Sequence, residues 1–392
     1  MHVPCHRCLG YGRAKCHKGK RFHNYRGASS VRLCFLEPRI LYFVSVYSHE
    51  SYDLPVVTDG LVGIWGLFSR VDLLKPTLSG LIRSTQSTEV MSTPHANPSG
   101  QAVLEVSENW LQVDGLQMRF WRAGLGPPVV LVHGLLGYAF SWRRVIPILA
   151  RESEVFAPDM PGAGFSECRS GLDFRLAGAA RRLRAFLDAA GVGSCDLVGS
   201  SYGGSTAVML AGMAPSRVRS LVLVSPANPW SRIGKKRLAM LKNPLIAAVF
   251  PMLARAARPL HRYFIRRMWG DPRLAPQETL DGYIRPLVRP GVFEHAGKIV
   301  QSWHADMKEL ESTLPKIAGI PTFLVWGSKD RVVDPESTEI MAKRVAGARV
   351  AVMRGAGHLP YEENPQEFSR IVSAFFRDVR STDTARPARS VT

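Results

Sequence analysis

The sequence predicts an α/β fold: a mostly parallel sheet flanked by helices, with a helical insertion after its sixth strand. Three observations carry this. Short apolar runs alternate with longer amphipathic stretches from about residue 103 onward, as strands and crossover helices do. The run 129–132 is apolar throughout, which suits a strand covered on both faces. The alternation stops between 226 and about 313, where the chain becomes Pro-punctuated and helical in character.

The elements follow in order. Residues 103–113 and 116–121 alternate apolar and polar side chains around Asp114-Gly115, a hairpin signal. Pro127-Pro128 leads into a strand at 129–132, followed at once by His133-Gly134-Leu135-Leu136-Gly137. Trp142, Val145, Ile146 and Leu149 then fall on one helical face. A strand at 155–158 ends at Asp159, ahead of a glycine-rich turn with Gly162, Gly164 and Ser166. Residues 174–190 form an amphipathic helix with Leu176, Leu183, Phe186 and Leu187 inward. Strands are expected at 196–198, 218–224, 322–326 and 349–353. Ile340 and Val345 mark a helix between the last two, and 365–376 forms a final one.

The charge balance is basic, with 51 Lys and Arg against 32 Asp and Glu, a formal +19. That favours anionic surfaces without choosing among membrane, nucleic acid and acidic ligand. No apolar run is long enough to span a bilayer. The first thirty residues lack the apolar core of a secretory signal. The 6 cysteines are scattered and suggest no disulfide framework, so a reducing, cytoplasmic setting is expected.

Three regions are expected: a basic, disordered extension and linker over 1–100, one domain over 101–380, and a disordered tail over 381–392. No acid appears before Glu37. A domain starting near Met91 would be complete, so 1–90 reads as an extension or as sequence upstream of the true start. Cys5-x-x-Cys8, with His6, Cys16 and His17, offers four zinc ligands, but only the first pair has knuckle spacing. These thiols are read as unstructured, and no metal is expected. The basic run is read as a solvated tail, with no specific nucleic-acid partner. In the insertion, 231–273 is rich in Lys and Arg against Asp271 alone, interleaved with apolar residues such as Leu245, Phe250, Met252 and Phe264. Two readings stay open: a lid with an apolar face over a site, or a basic amphipathic surface in peripheral contact with an anionic membrane.

The chemistry centres on Gly199-Ser200-Ser201-Tyr202-Gly203, a G-x-S-x-G pattern between strand 196–198 and a helical run. A serine at such a turn holds an unusual backbone angle with its hydroxyl exposed, and small neighbours avoid clashes. The helix start behind it favours a developing oxyanion. A hydroxyl needs an adjacent base. His358, in Gly355-Ala356-Gly357-His358, follows a strand end, and so does Asp330 in Trp326-Gly327-Ser328-Lys329-Asp330. Asp334 is the fallback acid. His133 is read as ordering its own loop, Asp159 as fixing the glycine-rich turn, and His295 and His304 as residues of the insertion. The oxyanion donors are the amides of Tyr202 and Leu135, each worth ~3 kcal/mol in the transition state.

From about 103 to 379 the chain resembles the α/β-hydrolase fold superfamily in its capped branch of esterases and lipases. The matching pieces are His133-Gly134 with Gly137, Asp159 with Gly162, Gly164 and Ser166, Gly199-x-Ser201-x-Gly203-Gly204, Trp326-Gly327-x-x-Asp330, and Gly357-His358. The order Ser201, Asp330, His358 is that superfamily's order. Ser201 argues against epoxide hydrolases and haloalkane dehalogenases, which carry Asp there. Leu359-Pro360 departs from the Trp that usually follows the histidine in carbon–carbon bond hydrolases. Tyr202 departs from the Trp usual in prolyl aminopeptidases. The resemblance implies a serine hydrolase cleaving a carboxylic ester through an acyl-enzyme on Ser201, without metal or cofactor. The apolar insertion favours a small-molecule ester with a medium-chain or lipid-like acyl group. The alternatives are a carbon–carbon bond or thioester hydrolase with the same triad, a cofactor-free haloperoxidase-like member, and a non-catalytic binding protein of the same fold.

Overall fold

A computed structural model describes residues 105–233 and 243–384. The expectations for 1–100, the Cys5 and Cys8 group among them, and for the tail beyond 384 lie outside the described residues. Asp114 and Gly115 turn the chain between β1 (Ser107–Val113) and β2 (Leu116–Ala123). Both have positive φ, 49° and 73°, the sense of turn that matches strand twist. The other strands are β3 (Pro128–Val132), β4 (Glu154–Pro158), β5 (Cys195–Ser200), β6 (Val218–Val224), β7 (Thr322–Gly327) and β8 (Arg349–Met353). They form one sheet in the order β1-β2-β4-β3-β5-β6-β7-β8. β2 pairs antiparallel with β1 and β4, and every other pairing is parallel.

The helices are α1 (Ile146–Leu149), α2 (Leu176–Ala189) and α3 (Tyr202–Met213), then α4 (Pro244–Ala256), α5 (Arg258–Arg266), α6 (Gln277–Ile284) and α7 (Val292–Thr313). After β7 come α8 (Ser337–Arg344), α9 (Pro360–Glu363) and α10 (Pro365–Thr384). Alternate side chains of the inner strands enter opposite cores. Val130 and Val132 join Leu183 and Phe186 of α2, while Val129 and Leu131 join Trp142 and Phe368. This two-sided burial explains the unbroken apolar strands.

Three elements differ from the expectation. The apolar face at 142–149 is split into a 3-10 turn, Ala139–Trp142, and the single-turn α1. Pro147 has no N–H to give and is tolerated only in a first turn. Val345 leaves α8 in an extended conformation and is buried all the same. α10 runs well past residue 376, because Val379 is buried and Arg380 reaches the buried Asp196 at 2.7 Å.

α4–α7 fill the span between β6 and β7, at the carboxyl edge of the parallel strands. Glu362 of α9 anchors them. It accepts from Arg143 Nη1 at 2.5 Å and from Tyr283 Oη of α6 at 3.0 Å. Arg143 Nη2 in turn donates to Thr279 Oγ1 of α6 at 2.7 Å.

Candidate active site

Ser201 stands between β5 and α3 with φ 52° and ψ −120°, a region that costs a side-chain-bearing residue of order 1–3 kcal/mol. Neighbouring strands impose it. Ser201 N donates to Val224 O of β6 at 2.9 Å, and Ser201 O accepts from Ala227 N at 3.0 Å. A Cβ on Gly203 would lie 2.3 Å from His133 O, and one on Gly199 2.4 Å from Gly203 O. Both obstacles are backbone, so only glycine fits. Leu136 (φ 62°) and Ser225 (φ 41°) also hold left-handed angles. The three strained residues thus follow β3, β5 and β6 at one sheet edge.

The 133–137 loop lies against this serine. A Cβ on Gly134 would be 3.1 Å from Ser201 Cβ and 3.8 Å from its Oγ. Tyr202 opens α3, so its N–H belongs to the helix-start amides that lack an intrahelical partner. His133 shapes the loop: Nε2 accepts from Met160 N at 2.9 Å and Nδ1 meets Gly134 O at 2.8 Å. Asp159 accepts from Ala139 N at 2.7 Å and Phe165 N at 2.8 Å, tying the glycine-rich turn to the loop. Both act as the sequence suggests.

His358 and Asp330 follow β8 and β7, on the same edge as Ser201. His358 Nδ1 is 2.8 Å from Asp330 Oδ2. A carboxylate only accepts, so Nδ1 carries the proton and Nε2 is left as the basic nitrogen. Asp330 Oδ1 accepts from Val332 N at 2.8 Å and Val333 N at 3.0 Å. Burial alone would raise its pKa. The His358 charge and hydrogen bond, with those two amides, outweigh burial and hold it below the usual 3.8. Asp334 turns instead to Arg232, at 3.3 Å. His304 is exposed on α7, and His295 is buried there.

Three positions escaped sequence reasoning. His358 N donates to Met268 O at 2.7 Å, so the middle of the insertion, between α5 and α6, holds the histidine loop. Glu363 clips the two segments together, accepting from Gly357 N at 2.6 Å and Gly270 N at 2.9 Å. Tyr361 Oη donates to Ser200 Oγ at 3.2 Å, joining α9 to the serine turn. None has a local motif, since each depends on segments far apart in sequence. Glu363→Gln leaves one amide without a carboxylate acceptor, at about 1–3 kcal/mol. We expect kcat to fall about tenfold with KM little changed. Steady-state kinetics check this; an unchanged kcat contradicts the clip.

A family model described as alpha/beta hydrolase fold matches residues 127–365. The chain therefore belongs to the α/β-hydrolase family and is an enzyme of that family. A Xenopus laevis monoacylglycerol lipase, abhd6-B, is 27% identical over 273 residues, 67% of this chain and 79% of that protein. An uncharacterized protein of Mycobacterium tuberculosis is 27% identical over 287 residues, 70% of this chain and 81% of its own. Among solved structures, a membrane phospholipase A described as a bacterial virulence factor is similar, with a TM-score of 0.60 and 27% identity. The match covers 70% of this chain and 87% of that one.

Proposed function

We propose that the chain is a serine hydrolase that cleaves carboxylic esters with medium-chain or lipid-like acyl groups. The observation that carries this reading is the 2.8 Å His358–Asp330 hydrogen bond, on the sheet edge that also presents the strained Ser201. His358 Nε2 takes the Ser201 proton as Oγ attacks the ester carbonyl. The Tyr202 and Leu135 amides hold the oxyanion. Collapse expels the alcohol, which receives that proton, and leaves an acyl group on Ser201. Water, deprotonated by the same nitrogen, then releases the acid. Asp330 stabilises the imidazolium throughout. The same groups would serve a thioester or carbon–carbon bond. Ester is favoured because similar proteins include a monoacylglycerol lipase and a membrane phospholipase A.

A p-nitrophenyl ester series tests the acyl preference. kcat/KM is expected to rise at least about tenfold from acetate to octanoate, as each buried CH2 adds ~0.8 kcal/mol at most. A maximum at acetate, with monoacylglycerol untouched, contradicts it.

We also place the enzyme at the surface of an anionic membrane on its cytoplasmic side. No described helix is long and apolar enough to cross one. Cys168 and Cys195 are free thiols, in keeping with a reducing compartment. α4 and α5 expose Leu245, Met252, Leu253, Leu260, Tyr263 and Phe264, and no acid lies between 243 and 267. Apolar residues among arginines suit a headgroup layer. Sedimentation with phosphatidylglycerol vesicles is expected to carry the protein down, and phosphatidylcholine vesicles to leave most of it. The double substitution Leu253→Glu and Phe264→Glu is expected to abolish binding. Equal binding to both lipids contradicts the charge argument.

A further inference from the structure

A cavity of about 30 Å³ lies behind the 133–137 loop, lined by Gly134, Leu135 and Tyr202 and by Arg182 of α2 and His295 of α7. Arg182 is only 9% exposed, and its Nε has no hydrogen-bond partner. The acids nearby are engaged elsewhere: Asp173 pairs with Arg181, and Asp306 with Arg175. Asp173 and Asp114 act on Arg182 through their charge, and among the described residues neither forms an ion pair with it. Tyr202 Oη and His295 Nδ1, both buried, also lack partners. Burial, with the charge of Arg182 adding to it, lowers the His295 pKa to about 4, so His295 is neutral at pH 7. Arg182 is then the one charge on this wall. A guanidinium only donates and is always ionised, and burying it unpaired is costly. Water fits the volume but brings no countercharge.

We propose that this cavity is an anion subsite of the ester site and takes a carboxylate carried by the substrate, seated on Arg182 with Tyr202 Oη as a second donor. The inference rests on the ester-hydrolase reading, since Gly134 ties the cavity to Ser201 and Tyr202 is shared with the oxyanion donors. Leu136, Met160, Val292 and Ile299 also line the cavity, so an apolar chain reaches the charge along a dry wall. The substrate class is an amphiphilic ester with one ionised carboxylate.

The test uses the full chain bearing Ser201→Ala, which binds without turnover, titrated calorimetrically with monomethyl adipate and with dimethyl adipate. The half-ester is expected to bind about tenfold tighter or more, as a charge-assisted contact does. Arg182→Met, which removes an uncompensated buried charge and keeps an apolar stem, is expected to bring the two within about threefold. Arg182→Lys, with the charge but not the planar fork, is expected to retain part of the preference, and reads the effect if the methionine variant does not fold. Equal affinities with Arg182 present mean that water alone fills the cavity and overturn the proposal. A preference that survives Arg182→Met overturns it too, because the carboxylate then sits elsewhere. Because this readout needs no nucleophile, a wild type without esterase activity sinks the hydrolase reading separately.

Discussion

Ser201→Ala is expected to lower kcat on p-nitrophenyl octanoate by on the order of 10⁴- to 10⁶-fold, with KM little changed. The substitution removes one oxygen, the one that forms the acyl bond in the proposed mechanism. On that proposal what survives is substrate binding and the two proposed oxyanion amides, which act only on a carbonyl that something else attacks. The turn itself should persist, because its geometry is imposed by hydrogen bonds to Val224 and Ala227 and by glycines that cannot carry a Cβ. Thermal unfolding within a few degrees of wild type would accompany the loss. A fall of less than tenfold in well-folded protein would mean that another group attacks the ester.

Asp330→Asn is expected to cost about 10⁴-fold in kcat. The amide keeps the shape but presents either an N–H or a weaker acceptor to His358 Nδ1. The ring then settles with its proton on the nitrogen that should serve as base, and the imidazolium loses its counter-charge. Stability changes with a definite sign. The folded Asp330 carboxyl titrates below its ordinary value, so its ionised form stabilises the fold above the unfolded value, near 4. That contribution disappears as pH falls through the lower, folded value. The variant lacks it, so its unfolding temperature should lie below wild type at neutral pH and converge on it in acid. Activity assays and thermal scans across pH check both parts. An active asparagine variant would turn attention to Asp334.

The fold was legible because its signals are local. Val129 to Val132 and Val218 to Val224 announce buried strands, Asp114-Gly115 announces a hairpin, and Gly199 and Gly203 bracket a turn that only small residues permit. The candidate site was legible for a related reason. Each candidate side chain comes at or soon after a strand end, and a parallel sheet delivers all of its strand ends to one edge. What stayed hidden depends on packing between distant segments. The apolar spacing from Trp142 to Leu149 reads as one helix until Pro147 is given its full weight. Val379 and Arg380 extend α10 because Val379 packs into the core and Arg380 meets Glu152, Ser153 and Asp196, which no window of adjacent residues contains. Glu363 looks like a surface acid in sequence, and only the approach of Gly357 and Gly270 gives it work. Arg182 reads as one more helix arginine, and its isolation is visible only once α3 and α7 close around it.

Everything proposed for this site requires Ser201 to be an activated nucleophile. The most direct measurement is to treat the full chain with a fluorophosphonate, digest it, and locate the adduct by mass spectrometry. One stoichiometric adduct is expected on the peptide carrying Ser201, formed slowly in Asp330→Asn and absent in Ser201→Ala. An adduct on another residue, or none on folded protein, would contradict it.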